Sequence, residues 1–149
     1  MSNTGMQGTV LGFDFGLRQI GVAVLSAPMS FSTPLCVLRS RGEKPDWQAL
    51  ESVIKEWQPK LCVIGLPLNM DGSAGELDSR VKRFARQLEG RFGTQYGFST
   101  TLHDERLSSH EAKEMMSEQG SSRDYVQNPA DSLAAKVILD RWALAQQSS

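Results

Sequence analysis

The chain has no excess of basic residues. Sixteen Lys and Arg stand against 17 Asp and Glu, for a net charge of −1 and a pI near 6.1. Whole-chain charge therefore does not mark a nucleic-acid binder, and any affinity for phosphate must come from local patches or from metals. Cysteine is scarce. Cys36 and Cys62 sit inside the apolar runs Pro34–Leu38 and Leu61–Ile64 and neither has a CxxC neighbour. Both are expected to be buried core thiols, not a disulfide or a metal pair. No apolar stretch reaches the roughly 18 residues of a membrane span. Met1–Gln7 is polar and lacks the charged-then-apolar order of a secretory signal. The expectation is a cytoplasmic protein with no membrane partner. No repeat or linker divides the 149 residues, enough for one domain with a real core. A single domain over 1–149 is expected, with 1–7 as a disordered tail.

What is present is a sequence of alternating periods. Residues 8–15 and 20–26 are valine-rich apolar runs separated by Gly16-Leu17-Arg18-Gln19, the pattern of a β-hairpin. A third strand is predicted over Leu35–Arg39. Trp47, Leu50, Val53, Ile54 and Trp57 then recur at helical spacing, with Asp46 as N-cap and Pro59 as stop. Leu61–Leu66 is nearly continuously apolar, as in a buried strand of an α/β sheet. After a polar loop, Pro67–Gly75, a second helix places Val81, Phe84, Ala85, Leu88 and Phe92 on one face. Arg80, Lys82, Arg83, Arg86 and Arg91 fall on the other, either tracking a nucleic-acid backbone or forming a solvated face among Glu76, Asp78 and Glu89. A fifth strand covers Phe98–His103. Ser108 and Glu111 have capping-box spacing and open a third helix ending near Gly120. Gly120–Gln127 reads as a mobile loop, and Asn128-Pro129 starts a last helix running to about Ala145. The order β-β-β-α-β-α-β-α-α gives three antiparallel strands followed by parallel βα units in one five-stranded mixed sheet flanked by helices. That is the layout of the ribonuclease H-like α/β fold.

Three acids far apart in sequence stand at structural boundaries: Asp14 at the end of the first strand, Glu105 after the fifth, Asp131 in the first turn of the last helix. Two strand ends and a helix start can meet at one sheet edge. Carboxylates gathered there repel one another unless cations sit among them, and hard divalent ions prefer oxygen ligands. Each acid also has a plainer reading. Asp14 could satisfy turn N–H groups, and Asp131 could complement the helix dipole by about 0.3–1 kcal/mol. Asp104 adjoins Glu105, and strand alternation lets only one of the two face Asp14; local physics does not choose between them. Trp47 and Trp57 read as helix-core residues, and His103 and His110 as bystanders.

Four motifs carry a resemblance. Asp14-Phe15-Gly16-Leu17-Arg18-Gln19-Ile20-Gly21-Val22-Ala23-Val24 is similar to the opening motif of the YqgF family. Gly65-Leu66-Pro67-Leu68-Asn69-Met70-Asp71-Gly72 resembles its central loop. Asp104-Glu105-Arg106-Leu107-Ser108-Ser109 and Asp131-Ser132-Leu133-Ala134-Ala135 resemble its third and fourth motifs. They occur in the family's order and span nearly the whole chain.

The resemblance implies a ribonuclease H-like hydrolase: a metal-dependent endonuclease acting on structured nucleic acid. The family is described both as a nuclease maturing pre-16S ribosomal RNA and as a Holliday junction resolvase on branched DNA. It implies Asp14, Glu105 and Asp131 as catalytic metal ligands for Mg²⁺ or Mn²⁺, expected as two ions about 3.5–4 Å apart with Asp14 bridging them. It favours Glu105 over Asp104. Phosphate contact in the first turn rests on Arg18, where Gln19 replaces a residue often basic or small in the family. Asn69 is expected to meet a sugar or base, the backbone at Gly72 a phosphate, and Arg106 either a salt-bridge partner or substrate. Expected partners are nucleic acid and possible ribosomal precursor particles, with the protein a monomer or homodimer. Two other classes fit parts of the sequence: a non-catalytic nucleic-acid-binding factor, and an actin-like kinase lobe suggested by Asp14-Phe15-Gly16.

Overall fold

The computed structural model describes residues 8–26, 31–42, 44–66, 77–104 and 130–148, with side chains of the last helix described over 133–146. The expected tail at 1–7, the loop at 67–75, the helix from Ser108 to Gly120 and the loop after it lie outside these residues.

The apolar alternation of the hairpin produces β1 (Thr9–Phe15) and β2 (Gln19–Ser26), paired antiparallel from Thr9↔Ser26 to Phe15↔Ile20. β3 (Thr33–Arg39) adds antiparallel to β2. β4 (Pro59–Leu66) lies parallel to β1 on its other side, and β5 (Ser99–Asp104) lies parallel to β4. The order is β3-β2-β1-β4-β5, the mixed five-stranded sheet expected from the element sequence. β3 begins two residues before Leu35 because a tertiary anchor holds its start. The Ser32 N–H donates to the Asp140 carboxylate at 2.7 Å and its hydroxyl donates to the Lys136 carbonyl at 3.2 Å.

α1 (Trp47–Trp57) starts where the sequence places it. The Asp46 carboxylate accepts from the Ala49 N–H at 3.2 Å, satisfying a donor that the first turn would otherwise leave unpaired. Gln58 closes the helix in the left-handed region (φ 47), and Pro59 opens β4. α2 (Asp78–Leu88) does not stop after its last apolar residue. It passes into a π-helical turn over Glu89–Gly93 and a final turn to Tyr96, ended by Gly97 at φ 76. The longer turn buries Phe92 and carries Arg91 over the Trp47 indole, 4.3 Å from the ring centre. The last helix, α3, runs from Ala130 to Ser148.

The sheet separates two cores. On one face α1 and α2 cover Leu11, Phe13, Phe15, Cys62 and Ile64. Phe84 is the hub there, with ring centroids 6.0 Å from Phe13, 5.2 Å from Phe15 and 5.8 Å from Trp47. On the other face α3 packs Ala135, Ile138, Leu139 and Trp142 against Val10, Ala23, Leu25 and Val63. Both cysteines are free, Cys62 fully buried and Cys36 half-buried. No helix among the described residues is long and apolar enough to cross a membrane.

Candidate active site

β1, β4 and β5 run in the same direction, so their C-terminal ends, at Phe15, Leu66 and Asp104, share one edge of the sheet. Open α/β sheets place ligands at such an edge. Alternation along β1 sends Leu11, Phe13 and Phe15 into the α1/α2 core, and therefore Gly12 and Asp14 toward α3. Asp14 is half-buried there, one residue from the strand's end.

Two glycines set how closely α3 can lie. A Cβ at Gly12 would come within 2.9 Å of Leu139 Cβ and 3.3 Å of the Ala135 carbonyl. A Cβ at Gly65 would collide with Ile138 Cδ1 and lie 2.9 Å from Ile138 Cγ1. The pairing Phe13↔Ile64 makes Gly65 the residue beside Asp14 on β4, and Gly65 is in turn paired with His103 on β5. Asp14, Gly65 and His103 thus form one row across the sheet, facing α3. Ile138 of α3 fills the space above the glycine in the middle.

α3 runs antiparallel to β1. Its Asp140 and Lys136 anchor Ser32 at the start of β3, its Leu139 meets Gly12, and Ile138 reaches Gly65 farther along the parallel strands. From Gly12 to Asp14 the strand advances about 6.6 Å. From Ala135 back to Asp131 the helix rises about 6 Å. Position 131 lies one turn before Ala135, on the side of the sheet that Asp14 also faces. Ala135, small and packed in the core between α3 and the sheet, allows this close approach, and Leu133 and Ala134 are buried as well.

β5 distinguishes the two adjacent acids. Thr100 faces α2, since its N–H and hydroxyl both donate to the Glu89 carboxylate, at 2.9 and 2.7 Å. By alternation Asp104 shares that face, exposed and turned away from Asp14, whereas His103 looks toward α3. Asp104 is thus not positioned to join Asp14. Burial pushes the His103 imidazole below its ordinary pKa; Asp104 opposes this, and Arg141 adds to the lowering. Neutral at pH 7, it adds no cation to the row.

Arg18 is exposed in the β1–β2 turn at the same edge, where its carbonyl accepts from the Ser40 N–H at 2.8 Å. Glu105, Arg106, Asn69 and Gly72 lie outside the described residues, as does the Asp131 side chain. Glu105 and Arg106 directly follow β5, and Asn69 follows β4 by three residues. Among the described residues no three His, Cys, Asp or Glu side chains converge on a common point. Sequence reasoning missed the roles of Gly12 and Gly65; a glycine inside a strand, often a sign of close backbone approach, was the available signal.

The sheet order and the helix crossing one face define a ribonuclease H-like fold. RuvC of T. thermophilus in complex with a Holliday junction substrate superposes with a TM-score of 0.60 at 14% identity, covering 93% of this chain and 96% of that one. The fowlpox virus Holliday junction resolvase gives 0.56 at 12% identity, covering 93% and 99%. At these identities the likeness is one of fold. The RuvX family, described as "Holliday junction resolvase", matches residues 8–145, and the chain belongs to that family, which is the YqgF family of the sequence resemblance. The "Putative pre-16S rRNA nuclease" of Azotobacter vinelandii is 47% identical over 133 residues, 89% of this chain and 91% of that protein. That of Klebsiella pneumoniae is 44% identical over 137 residues, 92% and 96%.

Proposed function

We propose that this chain is a single-domain cytoplasmic endonuclease that hydrolyses phosphodiester bonds in structured nucleic acid, with precursor 16S ribosomal RNA as substrate. The observation that carries this reading is the half-buried Asp14 at the C-terminal end of β1, on the sheet face that α3 covers, in a chain of the RuvX family. Asp14, Glu105 and Asp131 are its catalytic acids and would hold Mg²⁺ or Mn²⁺, two ions in the full site. The donor set fits such ions: carboxylate oxygens suit hard cations, and Asp14 is half-buried at the end of β1, the sheet edge where α/β folds place ligands. When bound, the ions supply charge neutralisation at the scissile phosphate and acidification of the attacking water.

The chain's own groups do the rest. The Asp14 backbone is held by its pairing with Gly21 on β2, next to the Phe13↔Ile64 pair that ties β1 to β4, so the main chain that carries the acid is in place before substrate arrives. The N-terminal turn of α3 brings the positive end of the helix dipole to the edge where phosphate must lie. Arg18 holds a phosphate of the strand, and Asn69, Gly72 and Arg106 are assigned to sugar, base and phosphate contacts. His103 is expected to take no proton.

The family description and the resolvase fold support a second substrate, the four-way DNA junction. Labelled precursor 16S RNA and a four-way junction are therefore to be incubated in parallel with wild type and Asp14→Asn, with Mg²⁺ or Mn²⁺. The expected result is metal-dependent cutting of the RNA that Asp14→Asn abolishes with thermal melting nearly unchanged. Symmetrical cutting of the junction alone assigns the resolvase, and binding without cutting of either overturns the nuclease. Full activity in Asp14→Asn removes it as a metal ligand.

A further inference from the structure

We propose that a basic groove on the α1/α2 side of the sheet, behind the catalytic edge, binds the phosphate backbone of the strand being cut. The proposal rests on the nuclease reading for the identity of the strand, but not for the groove itself. The groove encloses about 540 Å³, and its described lining has five cations and no carboxylate. They come from separate parts of the chain. Arg41 and Lys44 lie on the tight turn after β3, tied together by reciprocal backbone hydrogen bonds of 2.9 and 3.0 Å. Arg80 and Arg83 project from α2, and Arg91 from the π-helical turn. The basic face foreseen in the sequence is therefore divided. Lys82 forms an ion pair with Asp78 at 3.1 Å and, with Arg86, faces a different hollow, while Arg80, Arg83 and Arg91 turn toward Arg41 and Lys44.

The floor specifies what can be recognised. It is made by Phe15, Trp47 and Phe84. Trp47 stacks on Phe84 and carries the Arg91 guanidinium, so its ring already has partners and is not a platform for bases. What the groove presents to a ligand is positive charge at several points, which reads phosphate and not sequence. Like charges gathered over an apolar floor repel one another, and a polyanion relieves that repulsion. A π-helical turn is a frequent mark of a functional site, and here it is what lays Arg91 across the floor. Phe15, directly after Asp14, places the groove at the same sheet edge, so a strand crossing that edge meets both.

The test is fluorescence anisotropy with a labelled single-stranded RNA in EDTA, where no cutting occurs, using Asp14→Asn as the parent protein. Lys44→Gln with Arg83→Gln removes two groove cations. Lys55→Gln with Lys60→Gln removes two exposed cations elsewhere and gives the same net charge. Each phosphate contact on a single strand contributes about 0.7 to the slope of log K against log salt, so the groove pair should lower the slope by about 1.4 and the affinity roughly 25-fold near 0.1 M salt. The control pair should stay within about twofold, and circular dichroism should show both pairs melting with the parent. Unchanged binding in the groove pair, or equal losses in both pairs, overturns the proposal. Because the parent is inactive, loss of binding in the groove pair stands even if wild type cuts nothing, and cutting by wild type with unaltered groove-pair binding leaves the nuclease and removes the groove.

Discussion

Gly12→Ala is the most direct probe of how α3 is held against the catalytic edge. The added methyl would lie 2.9 Å from Leu139 Cβ and 3.3 Å from the Ala135 carbonyl. Neither is the free end of a side chain: one is bonded to helix backbone and the other is backbone. The helix must therefore move by a few tenths of an ångström. Overpacking of this kind costs about 1–3 kcal/mol, offset by the roughly 0.4–1 kcal/mol that Gly→Ala gains from a less flexible unfolded chain. The net loss is about 0–2.6 kcal/mol, and at about 2–4 °C per kcal/mol for a domain of this size the melting temperature should fall by up to about 10 °C. Gly65→Ala should fall at least as far, because its methyl would collide with Ile138 Cδ1 and lie 2.9 Å from Ile138 Cγ1, on a buried β-branched side chain with little freedom to swing aside. Calorimetric melting measures both. Cleavage, assayed well below melting, should drop in Gly12→Ala beyond its unfolded fraction, since the displaced helix carries position 131. A Gly12→Ala protein that melts at or above wild type with full cleavage would refute the close-approach reasoning.

The thiols should be unreactive in the folded protein. Burial pushes both above the ordinary thiol pKa, with Glu56 adding at Cys36 and Glu89 at Cys62, so an alkylating reagent at mildly alkaline pH should modify Cys36 slowly and Cys62 only on unfolding; rapid native labelling of both would contradict this burial. Glu89 ties the π-helical turn to β5, and the Thr100 hydroxyl and N–H hold its carboxyl below the ordinary carboxylate pKa of 4.5. Since the folded pKa is the lower one, its stabilisation is present above pH 4.5 and disappears as pH falls through the folded value. Glu89→Gln should thus melt below wild type at neutral pH, with a difference that shrinks in acid; a difference independent of pH would assign the effect to packing.

Much of the fold was legible because local signals agreed with the final packing. Alternation specified β1 and β2, the period specified α1, and Asp46 marked the N-cap that the Ala49 N–H uses. What escaped depended on distant partners. β3 starts at Thr33 because Asp140, more than a hundred residues later, holds Ser32. The π-helical turn has no composition of its own. At the site, the sequence revealed that only one of Asp104 and Glu105 could face Asp14, but which face each strand presents follows from the Glu89–Thr100 contact and the Gly65↔His103 pairing. The arginines of α2 were visible as one face, yet their division between two hollows depends on where the Arg41–Lys44 turn comes to rest.

One two-residue pleat links the two activities proposed for this edge. Asp14 and Phe15 are consecutive, and alternation sends the acid toward α3 while the aromatic ring becomes part of the groove floor. A one-residue slip of β1 would exchange them, burying a carboxylate against Phe84 and presenting a phenyl ring where phosphate chemistry is proposed. Seven antiparallel pairs with β2 and the parallel pairs with β4 hold the register. The same arrangement explains how a chain of net charge −1 can hold a polyanion. Asp78–Tyr96 carries five cations against two carboxylates, so positive charge is concentrated on α2 and the turns after it, on the opposite face of the sheet from Asp14. Negative charge near the scissile phosphate would repel substrate on its own; cations held a sheet's thickness away can offset that repulsion without occupying the space the metal ions require.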